Sequence, residues 1–148
     1  MARAPFQVLV FPYRRLQNGS IDYALFRRSD AGWWQGIAGG GEDEESPEQA
    51  AQRESFEEAG IAGEYLLFRL ATVNSIPTAC FRDSYLWGDD VYVIPEYCFG
   101  IEMHDASIEL SDEHSEYRWL TYEVAQSMLH FDGNRIALWE LHARLANL

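Results

Sequence analysis

Apolar residues fill positions 6–12 almost without interruption, Gln17, Asn18, Gly19 and Ser20 break the pattern, and a second apolar run covers 23–26. Short apolar runs separated by turn-formers predict two strands joined as a hairpin. Residues 29–32 then read as a loop and 33–38 as a short extended segment. Gly39, Gly40 and Gly41 follow in succession, which predicts a turn whose backbone is unusual.

The clearest helical signal starts at Ser46 as N-cap, with Pro47 at the first helical position and Gln49 completing a capping box. It closes at Gly60, where glycine can take the left-handed conformation, and the chain leaves through Ile61 and Gly63. Apolar runs over 65–73, 92–103 and 117–120 predict further strands, with Pro95 placing its neighbourhood at an edge or bulge. Two more helices are expected over 122–129 and 134–148, the second from the helical spacing of Leu138, Leu141, Leu145 and Leu148. No repeat or linker interrupts 1–148, so the expectation is one α+β domain, an α/β/α sandwich with a mixed sheet between helices.

With 148 residues, 47% of them hydrophobic and 24% charged, the chain has the composition of a globular domain rather than a disordered one. Its formal charge of −13 disfavours nucleic acid as a partner, since so acidic a surface repels phosphate unless a metal or a basic patch intervenes. All 11 basic residues are Arg, which excludes chemistry that needs a Schiff-base or P-loop lysine. Cys80 and Cys98 form no metal-binding or disulfide pattern and read as two buried thiols. No apolar stretch is long enough for a targeting or membrane segment, so no membrane partner and a cytoplasmic enzyme are expected.

Within the predicted helix stand Arg53, Glu54, Glu57 and Glu58. At about 100° per residue they fall in the order 53, 57, 54, 58 across an arc of about 140°, so they share a face, while Phe56 and Ala59 turn toward the core. Crowded carboxylates repel one another. A solvated acidic helix with an Arg53–Glu57 ion pair is one reading; the other is a site for a hard divalent cation, Mg²⁺ or Mn²⁺, that clamps a polyphosphate.

Spacing favours the second reading. Gly39, Glu45, Arg53, Glu54, Glu57, Glu58, Gly60 and Ile61 stand in the register of the Nudix box, G, five residues, E, seven residues, R-E-U-x-E-E-x-G-U, where U is a bulky aliphatic residue. The chain thus resembles the Nudix hydrolases, departing at Ser55, which occupies the first U position. The resemblance implies a Nudix fold and a Mg²⁺-dependent pyrophosphohydrolase that cleaves a phosphoanhydride by water attack at phosphorus. It also implies Glu54, Glu57 and Glu58 as metal ligands, Arg53 as the residue orienting them, Gly39 as a carbonyl donor, and Glu45 and Gly60 as structural members of the motif. The general base is then either Glu54 or a glutamate after the box, for which Glu113 is preferred, also as an additional ligand, over His114 and Glu116.

Within the family, Arg27, Arg28, Trp34 and Gln35 before the box, with Glu113, His114, Trp119, Leu120, Asn134 and Arg135 after it, are similar to the dihydroneopterin triphosphate pyrophosphohydrolases. That similarity implies phosphate contacts from Arg3 and Arg27 and a pocket wall at Ala38; Arg3 and Ala38 stand where those enzymes have Lys and Thr. The expected partner is a small nucleoside or pterin polyphosphate, dATP-like substrates included, with Tyr85, Trp87 and Tyr92 as stacking or lid candidates. Monomer and homodimer both stay open. Two other readings are a non-catalytic nucleotide-binding or regulatory module of the same fold, and an isomerase for which neither cysteine is suitably placed.

Overall fold

Strand β1 (Arg3–Arg15) carries an apolar run buried on both faces, and this places it at the centre of the computed structural model, which describes residues 2–63, 65–104 and 107–147. Its side chains alternate between two cores, as a two-residue period requires. Val8 and Val10 pack with Ala50, Ala51 and Ala59 of helix α1 (Pro47–Ala59). Leu9, Phe11 and Tyr13 pack on the other face with Ala125 of α2 (Tyr122–Met128) and Ala137, Leu138 and Leu141 of α3 (Asp132–Ala146). The expected α/β/α layering is therefore present.

The mixed sheet has seven strands: β1, β2 (Ile21–Arg28), β3 (Trp34–Gln35), β4 (Ile37–Glu42), β5 (Leu66–Pro77), β6 (Val93–Glu102) and β7 (His114–Leu120). The expected hairpin is short, because β1 meets β2 only where Tyr13–Arg15 oppose Ile21–Tyr23. Most of β1 pairs instead with β4 antiparallel and with β6 parallel. Pro95 lies one residue outside the β1–β6 pairing, so its missing N–H costs that ladder nothing.

Helix α1 begins and ends as its sequence predicts. Ser46 accepts from the Gln49 N–H, Gln49 returns the bond to the Ser46 N–H, and Gly60 closes the helix at φ 68°. Strand β5 runs four residues past its expected end because a bulge between Arg69 and Val73 is held from α3. Glu140 accepts from the Ala71 and Thr72 N–H groups at 2.7 Å each, partnering donors near the break in the ladder.

Four expectations need correction or fall elsewhere. Gly39, Gly40 and Gly41 form no turn: they lie in β4 and none has positive φ. A Cβ there would strike the Glu54 carboxylate, the Arg3 guanidinium and the Phe6 ring respectively, so close approach is what requires glycine. Phe56 is 64% exposed, because the sheet-facing stripe of α1 passes through Ala51, Ser55 and Ala59. Cys98 is buried but Cys80 is exposed, in a 3₁₀ turn (Thr78–Cys80) beyond β5. Leu138, Leu141 and Leu145 face the core, whereas Leu148 lies outside the described residues. Among the described residues no helix is long and apolar enough to cross a membrane.

Candidate active site

Helix α1 presents its acidic residues to β4 and to the loop before β7. Arg53 organises the first half of the site. Its Nε donates to Glu45 at 2.8 Å, one terminal nitrogen to the Gly40 carbonyl at 2.8 Å, and the other to Glu54 at 2.9 Å and Glu57 at 3.2 Å. Glu45 also accepts from the Glu42 N–H at 2.9 Å, locking the loop between β4 and α1 to the Arg53 guanidinium. The many anionic partners, Glu45 first, hold Arg53 firmly protonated.

Glu54 is buried against the backbone of Gly39. Burial pushes its carboxyl up to about 7, with Arg53 opposing the shift and Glu57 and Glu58 adding to it. Glu58 is also buried and is raised by burial; its Oε2 accepts from the Ser111 hydroxyl at 2.6 Å, which opposes the shift, while the facing Glu113 carboxylate adds to it. Buried His114 lies 3.5 Å from the same oxygen, and its desolvation favours the neutral imidazole. Glu57, by contrast, leaves half its side chain in solvent. The predicted face is thus split into two buried carboxylates and an exposed one.

Arg3 reaches the site from the start of β1. Its guanidinium lies over Gly40, bonds the Gln7 side chain and stacks 5.0 Å from the Phe81 ring. Burial lowers its pKa, and the charges of Asp83 and Glu54 oppose that shift. Beside it lies a cavity of about 700 Å³ lined by Ala38, Gln7, Arg28, Phe81 and Phe131 among others. Strand β4, which among the described residues pairs with β1 alone, carries Ala38 on the cavity side and Gly39 against Glu54, so adjacent residues of one strand touch the cavity and the carboxylates.

The structure brings together Arg3, Ala38, Gly39, Glu45, Arg53, Glu54, Glu57, Glu58 and Glu113, with Gly60 capping the helix that holds them. Arg27 stays apart, spent on the Gly32 carbonyl and Ser115, while Arg28 lines the cavity and holds Asp30 through two bonds. Glu116 is engaged by Arg118 at 2.8 Å. Tyr85 and Tyr92 are exposed and off the cavity wall; Trp87 donates to the Arg3 carbonyl at 2.9 Å. The sequence alone does not single out buried Glu96 at the cavity wall, although an acid in the middle of the apolar 92–103 run is the available signal.

The NUDIX domain family model matches residues 8–139, nearly the whole chain. The chain is a NUDIX-family hydrolase. A chain described as a NUDIX hydrolase from Listeria monocytogenes is 41% identical, with TM-score 0.88, covering 97% of this hydrolase and 96% of that chain. The Escherichia coli dihydroneopterin triphosphate pyrophosphohydrolase shares the fold at 24% identity and TM-score 0.78, covering 100% and 99% of the two chains. The asymmetrical bis(5'-nucleosyl)-tetraphosphatase of Sus scrofa is 28% identical over 138 residues, 90% of this hydrolase and 87% of that protein.

Nudix hydrolases generally use a divalent metal, and the donors here suit a hard one. Glu54, Glu57, Glu58 and Glu113 offer only carboxylate oxygens, two of them buried beside like charges, and Gly39 leaves the room that Glu54 fills. As placed, no three such groups converge on one point among the described residues, because Arg53 holds Glu54 and Glu57 while Ser111 holds Glu58.

Proposed function

We propose that this hydrolase is a Mg²⁺-dependent pyrophosphohydrolase of a nucleoside or pterin polyphosphate, acting as a single domain. The observation that carries the reading is that Glu58 faces Glu113 from a separate segment while Glu54, one turn earlier on the same helix, lies against Gly39 with Arg3 beside it over Gly40. Glu54, Glu57, Glu58, Glu113 and the Gly39 carbonyl would hold the cation, with Mn²⁺ able to replace Mg²⁺. When bound, it supplies positive charge to the phosphate oxygens and acidifies water.

The chain's own groups do the rest. Arg3 binds the phosphates from its place over Gly40, where the missing side chain lets the guanidinium lie close to β4. Glu54 or Glu113 accepts the proton of the attacking water. The water oxygen bonds to phosphorus, the anhydride P–O bond breaks on the opposite side, and the leaving phosphate takes the bond's electron pair. Arg53 positions Glu54 and Glu57 and ties α1 to β4.

Support comes from the family assignment and from relatives whose names record phosphoanhydride substrates. The test is release of phosphate or pyrophosphate from nucleoside and pterin triphosphates, sugar nucleotides and dinucleoside polyphosphates, with Mg²⁺, with Mn²⁺ and with chelator. Metal-dependent turnover of a triphosphate is the expected result. Retained binding without turnover across the panel would support the regulatory-module reading instead.

A further inference from the structure

Glu96 is the buried carboxylate of strand β6. It is 5% exposed, and burial raises its pKa. Its Oε1 accepts from the Asn74 side-chain amide at 3.0 Å, and among the described residues Oε2 has no hydrogen bond. Both residues line the cavity beside Arg3, where Phe81 and Phe131 supply aromatic surface and Gln7 bonds Arg3. The carboxylate thus opens onto the cavity, where a ligand donor can reach it. Neither the carboxylate cluster on α1 nor the packing of the sheet uses it.

We propose that this cavity holds the ring of the substrate and that Glu96 selects a heterocycle with a ring N–H and an exocyclic amino group side by side, next to a carbonyl. Guanine and pterin share that edge. The inference rests on the polyphosphate-hydrolase reading for where the phosphates lie. An ionised carboxylate only accepts, and its two oxygens match two parallel N–H donors. Adenine and cytosine offer one donor beside a ring nitrogen lone pair, and uracil one donor between two carbonyls, so each sets a lone pair against the carboxylate. Asn74 occupies one lone pair of Oε1 and so fixes the carboxylate, leaving the other lone pair of Oε1 and all of Oε2 for the two ligand N–H groups, while the aromatic side chains suit a flat ring.

The test compares GTP, ITP, ATP and 7,8-dihydroneopterin triphosphate with Mg²⁺, on the wild-type chain and on Glu96→Gln. ITP keeps the ring N–H and lacks the amino group, so the wild type is expected to favour GTP over ITP by about tenfold or more in kcat/KM. Glu96→Gln is expected to bring that ratio to within about threefold of unity, chiefly through KM. The larger of the GTP and dihydroneopterin triphosphate values identifies which source of the shared edge the site serves. Equal use of GTP and ITP by the wild type, a preference for ATP, or an unchanged ratio in a folded Glu96→Gln would overturn the proposal. If none of the four is hydrolysed, the polyphosphate-hydrolase reading fails, and calorimetric binding of GTP against ITP still decides the role of Glu96.

Discussion

Replacing Gly39 by alanine separates the geometry of the site from the stability of the fold. The added methyl would fall on the Glu54 carboxylate, the far end of a flexible side chain rather than backbone, so Glu54 must withdraw while β4 stays in place. Carbon and oxygen atoms settle at about 3.5–4.0 Å, which demands a movement of the order of 1 Å. A 1 Å misplacement of a reacting group costs about a hundredfold in rate, or about 2.7 kcal/mol of transition-state stabilisation. Gly39 has no positive φ, so alanine suits its backbone and restrains the unfolded chain by about 0.4–1 kcal/mol, which offsets the local crowding. Expected, then, is a fall of about a hundredfold in metal-dependent kcat/KM with Tm nearly unchanged, read by coupled phosphate release and thermal unfolding. Wild-type turnover in Gly39→Ala would show that the placement of Glu54 does not matter. A large loss of Tm would show that β4 cannot accept the methyl.

Three further outcomes follow from particular contacts. Glu57→Gln should lower metal-dependent turnover by orders of magnitude while shifting stability by no more than about 0.5 kcal/mol, because the side chain is half in solvent; wild-type rates would remove it from the site. Glu140, whose carboxyl desolvation alone would raise but which hydrogen bonds from Thr72, Ala71 and Arg144 together hold at about 2, contributes stability above its ordinary value of 4.5, and that contribution is lost as pH falls toward 2. Glu140→Gln should therefore cost about 1–2 kcal/mol at neutral pH, after discounting for solvent screening, and the gap should close on acidification; a gap that ignores pH contradicts the bulge clamp. A maleimide should label exposed Cys80 in the native protein and Cys98 only after unfolding, and saturating substrate should slow the reaction because Cys80 lines the cavity. Labelling of Cys80 indifferent to substrate would place the ring elsewhere.

What the sequence discloses here is what is local. Ser46, Pro47, Gln49 and Gly60 fix the ends of α1 through contacts within a turn of the helix, so its limits and the angular order of its glutamates were legible. The central position of β1 follows from an apolar run buried on both faces. The glycines of β4 look like a turn in the sequence because their reason is non-local: the groups that need the space, Glu54, Arg3 and Phe6, come from α1 and the start of β1. Phe56 was misplaced because an acidic pair, Glu54 and Glu58, takes buried positions that a hydrophobic pattern assigns to apolar residues. The length of β5 depends on Glu140 far along the chain, and Glu96 belongs to no motif, so neither could be placed without the fold.

The most direct test of the account is anhydride cleavage by the purified full chain, followed by phosphorus NMR in water enriched in ¹⁸O, with Mg²⁺ and with chelator. The account predicts a triphosphate split to pyrophosphate and a monophosphate only when the cation is present, with label entering at a phosphorus of the broken anhydride and the reaction lost in Glu57→Gln. Turnover that persists in chelator, or that is untouched in Glu57→Gln, would contradict it.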